Sequence, residues 1–189
     1  MSFPRVTETA HDLVTRFVRE GDHVVDATVG NGHDTRFLAS LVGAAGRVDG
    51  FDIQSGAIEA TARELHGLPQ VNLHCLGHEH LREVVPGPVA AVMFNLGYLP
   101  SGDKTLVTRP DTTLAALDAA WELLKAPGGI LSVVVYPGHA GGSDESLLVE
   151  AWFSRLDPVY HRTLRHGPAV TSPQKPGPFL LAAVRGRKN

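Results

Sequence analysis

The chain has 189 residues, 43% hydrophobic and 20% charged, with a formal net charge of −3. That is chain enough for one domain with a packed core, and the balance excludes collagen-like, coiled-coil and largely disordered classes. A single cysteine, Cys75, excludes an internal disulfide framework and a multi-cysteine zinc site, and no apolar run approaches the roughly 20 residues of a membrane helix.

In chain order, Val6 to Glu20 carries an apolar helical stripe that stops at Gly21. His23 to Ala27 reads as a short buried strand. Asp34 and Thr35 are cap-type residues opening a helix to about Val42. A strand over 47–51 ends at Asp52, and Ser55 caps a helix to His66. Val71 to Leu76 is a third strand, followed by a helical turn over 78–85. Val89 to Asn95 is a fourth strand, and a long polar loop runs from Gly97 to Pro110. Asp111 caps a helix to about Lys125. Gly129 to Tyr136 is a β-branched fifth strand, and 143–155 is helical. The strands Tyr160 to Arg165 and Phe179 to Val184 close the chain.

Alternating helices and nearly all-apolar strands imply a parallel sheet covered on both faces. No helix separates the last two strands, so they pair as a hairpin and one runs antiparallel. The expected fold is therefore α/β: one domain over 1–189, with a doubly wound, mainly parallel, seven-stranded sheet and one antiparallel strand near an edge. That is the Rossmann-like plan of class I methyltransferases. Ligands in such sheets sit beyond the carboxyl ends of the strands.

The first such loop reads Asp26-Ala27-Thr28-Val29-Gly30-Asn31-Gly32-His33-Asp34-Thr35. Gly30 and Gly32 allow a tight turn and close approach to a ligand. The spacing is D-x-x-x-G-x-G, and a dinucleotide site needs G-x-G-x-x-G with its diphosphate on the helix N-terminus. Asp34 stands at that end and would repel a diphosphate, and Asp26 adds negative charge. Such a site suits a cation carrying ammonium and sulfonium groups, as S-adenosylmethionine does. Asp52, with Gln54 beside it, can accept ribose hydroxyls. Gly77-His78-Glu79 is placed to flank an adenine. His74, Cys75, His78 and His80 make a poor metal site, because His74 and Cys75 point to opposite strand faces; His74 and His80 read as surface histidines.

Asn95-Leu96-Gly97-Tyr98-Leu99-Pro100 ends the fourth strand and looks like the (D/N)-P-P-(Y/F) element of amino-methylating enzymes, with Leu-Gly in place of Pro-Pro. Acceptors there would hold the N–H groups of an amine while Tyr98 stacks on a flat substrate. Asp103, Tyr98 and His139 are candidates to take the amine's proton. Lys104 and Arg109 could meet phosphates. From Arg155 to Asn189 seven Lys/Arg face one acid, a segment of +6 against −9 elsewhere. Lys175, Arg185, Arg187 and Lys188 are its candidate phosphate contacts.

These motifs, with Phe51-Asp52-Ile53-Gln54, the Thr-x-Pro-Asp-Thr-Thr run from Thr108 and Tyr136-x-Gly138-His139, resemble one family over nearly the whole chain. It is the group of small bacterial class I methyltransferases once labelled rRNA methylases. Its members convert 5-aminomethyl-2-thiouridine at the tRNA wobble position to the methylaminomethyl form. The resemblance implies S-adenosylmethionine contacts at Gly30, Asn31, Asp34, Thr35, Asp52, Gln54, His78 and Glu79, and Asp26, Thr28, Gly32 and Asn95 join them as candidate cofactor-binding residues at the same strand ends. It implies a transfer site at Asn95, Tyr98, Asp103, Lys104 and His139, and a tRNA anticodon loop as partner. Pro137 and the segment 166–178 depart from the family pattern. Alternatives are methylation of rRNA or a small amine, a dinucleotide-dependent oxidoreductase, and a non-catalytic RNA-binding module. The N-terminus lacks the apolar core of a signal peptide, so a cytoplasmic enzyme with no membrane partner is expected. The oligomeric state stays open, a homodimer included.

Overall fold

The computed structural model describes residues 3–97, 108–138, 142–169, 172 and 176–187. Seven strands form one sheet: β1 (His23–Asp26), β2 (Arg47–Asp52), β3 (Val71–Cys75), β4 (Ala91–Leu96), β5 (Ile130–Val135), β6 (Arg162–His166) and β7 (Phe179–Val184), in the order β3-β2-β1-β4-β5-β7-β6. The first five strands are parallel. β7 inserts antiparallel between β5 and β6. The expected doubly wound sheet with its antiparallel strand near one edge is what the chain forms.

Apolar alternation sends two cores to the two faces. On one face α1 (Val6–Thr15) and α2 (His33–Val42) bring Ala10, Val14, Leu38 and Val42 onto Val24, Val48, Met93 and Ile130. On the other, α5 (Pro110–Leu123) and α6 (Gly142–Ser154) bring Leu117, Ala120, Val149 and Phe153 onto Val25, Val92, Phe94, Val133 and Leu181. Two further helices, α3 (Ser55–Glu64) and the short α4 (Leu81–Val84), follow β2 and β3. Val, Leu and Phe side chains buried this completely each contribute about 1.5–3 kcal/mol, so these faces carry most of the stability.

Three expectations are corrected. The first helix ends at Thr15 rather than Glu20. Arg16 and Phe17 then bond Leu13 and Val14 in a tighter turn, which keeps Val18 buried without continuing the helix. Second, α2 begins at His33 with Gly32, not Asp34 or Thr35, at its cap. Asp34 and Thr35 are inside the first turn and buried, with their side chains spent on other elements. Third, His74 is not a surface histidine. It is partly buried, and its Nε2 lies 2.9 Å from the Oδ1 of a fully buried carboxylate, Asp49. Cys75 does point the other way and is exposed.

Among the described residues no helix is long and apolar enough to cross a membrane.

Candidate active site

The glycine turn after β1 and the ends of β2 and β4 meet at the carboxyl edge of the sheet. Gly30 (φ 50°) and Gly32 (φ 74°) both lie in the left-handed region, and a Cβ on Gly32 would sit 2.7 Å from Thr61 Oγ1. The turn is pinned from β2: the Gly30 amide donates to Asp52 Oδ2 at 2.8 Å, and the Gln54 amide donates to Asp52 Oδ1 at 2.9 Å. Each carboxylate oxygen carries two lone pairs, so Asp52 keeps capacity for a further donor on either. Ile53 beside it is half-exposed, an apolar surface that sequence reading passed over.

Asp26 is fully buried. It accepts from Thr35 Oγ1 at 2.6 Å and from the Thr28 amide at 3.1 Å. Burial, then the nearby Asp34 carboxylate, push its pKa up to about 7. Asp26 is thus an internal charge that acts on the site through space, not a surface a ligand can touch. Thr28 in turn accepts the Asn95 amide through Oγ1 at 2.7 Å, tying β4 to the turn.

Asn95 is the pivot. Its Nδ2 donates to Asp34 Oδ2 at 2.7 Å. Its Oδ1 is buried and has no hydrogen-bond partner among the described residues. Buried acceptors rarely stay unpaired, so this one has capacity for a further donor. Asp34 is also 2.6 Å from His11 Nε2 of α1, a residue sequence reading missed because only packing brings it there.

His78 follows β3 and is buried, its Nδ1 3.3 Å from the Ala27 carbonyl and its ring edge-on to Phe94. Burial pushes its pKa down, which keeps the imidazole neutral at pH 7. It supports the β1 end more than it faces outward. Glu79 is partly exposed beside it. Asn31 is exposed at the tip of the glycine turn. Tyr136, just past β5, is about two-fifths exposed, and burial and Asp34 raise its phenol, so it stays a hydrogen-bond donor.

A second missed residue closes the rim. Glu145, fully buried at the start of α6, accepts from Thr113 Oγ1 and Thr108 Oγ1, both at 2.7 Å. The Thr108 amide donates to the Gly97 carbonyl at 3.0 Å. The return of the chain after β4 is therefore locked to α5 and α6. Tyr98, Asp103, Lys104, His139, Lys175 and Lys188 lie outside the described residues.

The basic residues do not gather at this end. Arg109 does: it caps the start of α5, is exposed, and pairs with Asp111 at 2.7 Å. Arg185 and Arg187 do not. β7 runs against β5, with Phe179 opposite Val135 and Val184 opposite Ile130, so residues after Val184 emerge at the amino edge of the parallel strands. Six strand residues separate the two edges, roughly 15–20 Å. Arg185 is moreover engaged: its Nη1 donates to the Leu124 and Glu122 carbonyls at 2.6 and 2.8 Å, closing the C-terminal end of α5.

Comparison with known proteins agrees with the geometry. Residues 48–182 match the family described as "Putative rRNA methylase". A relative from Arabidopsis thaliana, "tRNA (mnm(5)s(2)U34)-methyltransferase, chloroplastic", is 45% identical over 165 residues, covering 80% of this chain. The chain spans 60% of the length of that relative. A solved "putative rRNA-methylase" from Clostridium thermocellum is 42% identical, superposes with a TM-score of 0.91, and matches 98% of this chain and 100% of its own. A "putative methyltransferase" from Streptococcus mutans, solved in complex with SAH, is 32% identical with a TM-score of 0.86 over 97% of this chain and 99% of its own. With most of its length matched and the same sheet plan, the chain belongs to the "Putative rRNA methylase" family of class I methyltransferases.

Proposed function

We propose that this protein is an S-adenosylmethionine-dependent N-methyltransferase whose acceptor is the aminomethyl group of a wobble-position 5-aminomethyl-2-thiouridine in tRNA. The observation that carries the reading is the pairing of two features at one edge of the sheet. Three carboxylates, Asp26, Asp34 and Asp52, gather there with no Lys or Arg bonded to them among the described residues. Beside them stands Asn95 Oδ1, which has no hydrogen-bond partner among the described residues. The first favours a positively charged donor, and the second favours an N–H acceptor substrate.

The residues present fit that donor. Gly30 turns in the left-handed region at the partly exposed tip of the loop, Gly32 makes room for the Thr61 side chain behind it, Asp52 has lone pairs for ribose hydroxyls, and Ile53 offers an apolar surface next to it. When bound, S-adenosylmethionine supplies an electrophilic methyl on a positively charged sulfur. The chain's own part is positional. Asn95 Oδ1 takes one amine N–H, which turns the nitrogen lone pair toward the methyl. Alignment of this kind can supply about 7–11 kcal/mol of a transfer barrier. Asp26, Asp34 and Asp52 hold a cation against loss to water through their summed field. Tyr136 and the Thr108–Glu145 lock border the place where the acceptor enters.

RNA phosphates would meet the cations at the same edge. Arg109 is one. Arg5, exposed at the start of α1 and close enough to Tyr136 to lower its phenol, is another. Such contacts set affinity and register, while the base, splayed from a single-stranded loop, sets identity. A cytoplasmic tRNA pool is the proposed setting.

The test is direct. Purified protein, S-adenosylmethionine and tRNA bearing the aminomethyl nucleoside are incubated, and nucleosides are resolved by mass spectrometry. A gain of one methyl on that nucleoside supports the reading. Methylation of rRNA or of a free small amine instead, with tRNA untouched, overturns it.

A further inference from the structure

We propose that His11, on the N-terminal helix, is a positioning residue that acts through Asp34 to decide which end of the Asn95 amide meets the acceptor amine. The inference rests on the methyltransferase reading above and adds a residue to it.

A carboxamide has an accepting oxygen and a donating NH2 of nearly the same size, and only its neighbours decide which way it faces. An ionised carboxylate accepts and cannot donate. Asp34 Oδ2, 2.7 Å from Asn95 Nδ2, therefore fixes the NH2 inward and turns Oδ1 the other way. The Asn95 backbone cannot drift, because its amide is held at 2.7 Å by Thr28 Oγ1. What remains is to hold Asp34.

His11 does this. Its Nε2 lies 2.6 Å from Asp34 Oδ1, and since the carboxylate is the acceptor, Nε2 carries the proton. The ring is fixed in turn by Phe37, stacked at 3.8 Å between centroids and 3° from parallel. Phe37 is three residues beyond Asp34 on α2, so the same helix presents both the carboxylate and the platform. α1 is fastened to the sheet by Ala10 and Val14, both fully buried and flanking His11 in the helix. The series Phe37, His11, Asp34, Asn95 thus runs from a packed helix to a single unpaired oxygen. With His11 absent, Asp34 can rotate and the amide can flip, presenting a donor where an acceptor is required. His11 touches Asp34, not the reacting atoms, so its effect falls on turnover and not on cofactor capture.

The test compares the wild type with His11→Phe, which keeps a ring on Phe37 but has no donor, and His11→Gln, whose amide can donate from a similar reach. Methyl transfer to aminomethyl tRNA gives kcat and both KM values, calorimetry gives the Kd for S-adenosylmethionine, and thermal melting checks folding. His11→Phe is expected to lower kcat about tenfold with Kd and KM for S-adenosylmethionine unchanged, and His11→Gln to recover most of the loss. Wild-type turnover in His11→Phe overturns the inference. So does a His11→Gln no better than His11→Phe at an equal melting temperature, or a rise in KM for S-adenosylmethionine at unchanged kcat. Absence of transfer by the wild type overturns the methyltransferase reading and this inference with it.

Discussion

Two fully buried aspartates on neighbouring strands, Asp26 of β1 and Asp49 of β2, sit one step apart in the sheet register yet have opposite surroundings. Asp49 is ringed by donors: His23 Nε2 at 2.6 Å, Arg47 Nε at 2.7 Å and Nη2 at 3.0 Å, and His74 Nε2 at 2.9 Å. Burial pushes its carboxyl up, but those hydrogen bonds outweigh burial and leave it well below the usual carboxylate range. Among the described residues Asp26 has only a hydroxyl and an amide, with Asp34 as a like-charged neighbour, and it is pushed up to about 7. A buried charge that a fold uses for structure is compensated within the fold. A buried charge left uncompensated at the ligand edge leaves its compensation to whatever binds. Asp49 belongs to the first kind and Asp26 to the second.

The largest expected effect tests the structural half. Asp49→Ala strands an arginine and two histidines around a fully buried position and should cost about 3 kcal/mol, the low end for a broken buried pair because Arg47 is partly exposed. Urea unfolding measures it. The folded pKa is depressed, so the wild-type contribution is present above the ordinary carboxylate value and is lost as pH falls through the depressed one. Affinity for S-adenosylmethionine should not change. A large loss of affinity would erase the division between the two aspartates.

The functional half is broken most cleanly at Asn95. Asn95→Ala removes the unpaired Oδ1 and should lower turnover roughly 100-fold, equivalent to about 2.7 kcal/mol. The Kd for S-adenosylmethionine, measured by calorimetry, should stay within about twofold. A variant that turns over at the parental rate would leave the orphaned oxygen without a use.

Asp26 itself gives a pH signature. Its folded pKa is raised from 3.8 to about 7, so the folded state holds a proton the unfolded state has released, and stability without ligand falls as pH rises between those values. A cation bound nearby favours the ionised form. Binding S-adenosylmethionine should therefore release a proton below about pH 7, and affinity should climb by up to about tenfold per pH unit toward that value. Calorimetry in two buffers of different ionisation enthalpy detects the proton, and Asp26→Asn should abolish its release. Binding with no proton change at about pH 6 would mean that the cation does not feel this carboxyl.

Most of the fold was legible in the sequence because its strands are apolar runs between amphipathic helices, and because no helical pattern in the sequence separates the last two strands, which pair as a hairpin. The glycine turn, Asp52 and Asn95 were legible for the same reason: each ends a strand on the edge where such sheets carry ligands. His11 was not. It reads as one more polar position on α1, and its 2.6 Å contact with Asp34 exists only once Ala10 and Val14 have docked the helix. Glu145 was hidden likewise, since nothing local links it to Thr108 and Thr113. The basic C-terminal segment was read for its charge but not for its direction. The signal was available, because an antiparallel β7 delivers the residues after Val184 to the far edge.

That direction yields the smallest expected effect and a second contrast between regions. Arg109 stands at the ligand edge, exposed, with Asp111 as its ion-pair partner. Arg187 is exposed at the opposite edge, roughly 15–20 Å away along the strands, a separation greater than the screening length of about 8 Å at physiological salt. If tRNA is held at the edge where its base reacts, Arg109→Ala should raise KM for tRNA a few-fold and flatten its salt dependence by about one phosphate contact. Arg187→Ala should leave both nearly unchanged. Arg185→Ala should act on stability instead, by about 1–2 kcal/mol, because it uncaps the Glu122 and Leu124 carbonyls. The opposite ranking, with Arg187 mattering and Arg109 silent, would mean that the RNA wraps to the far edge and that the ligand edge holds only the reacting nucleoside.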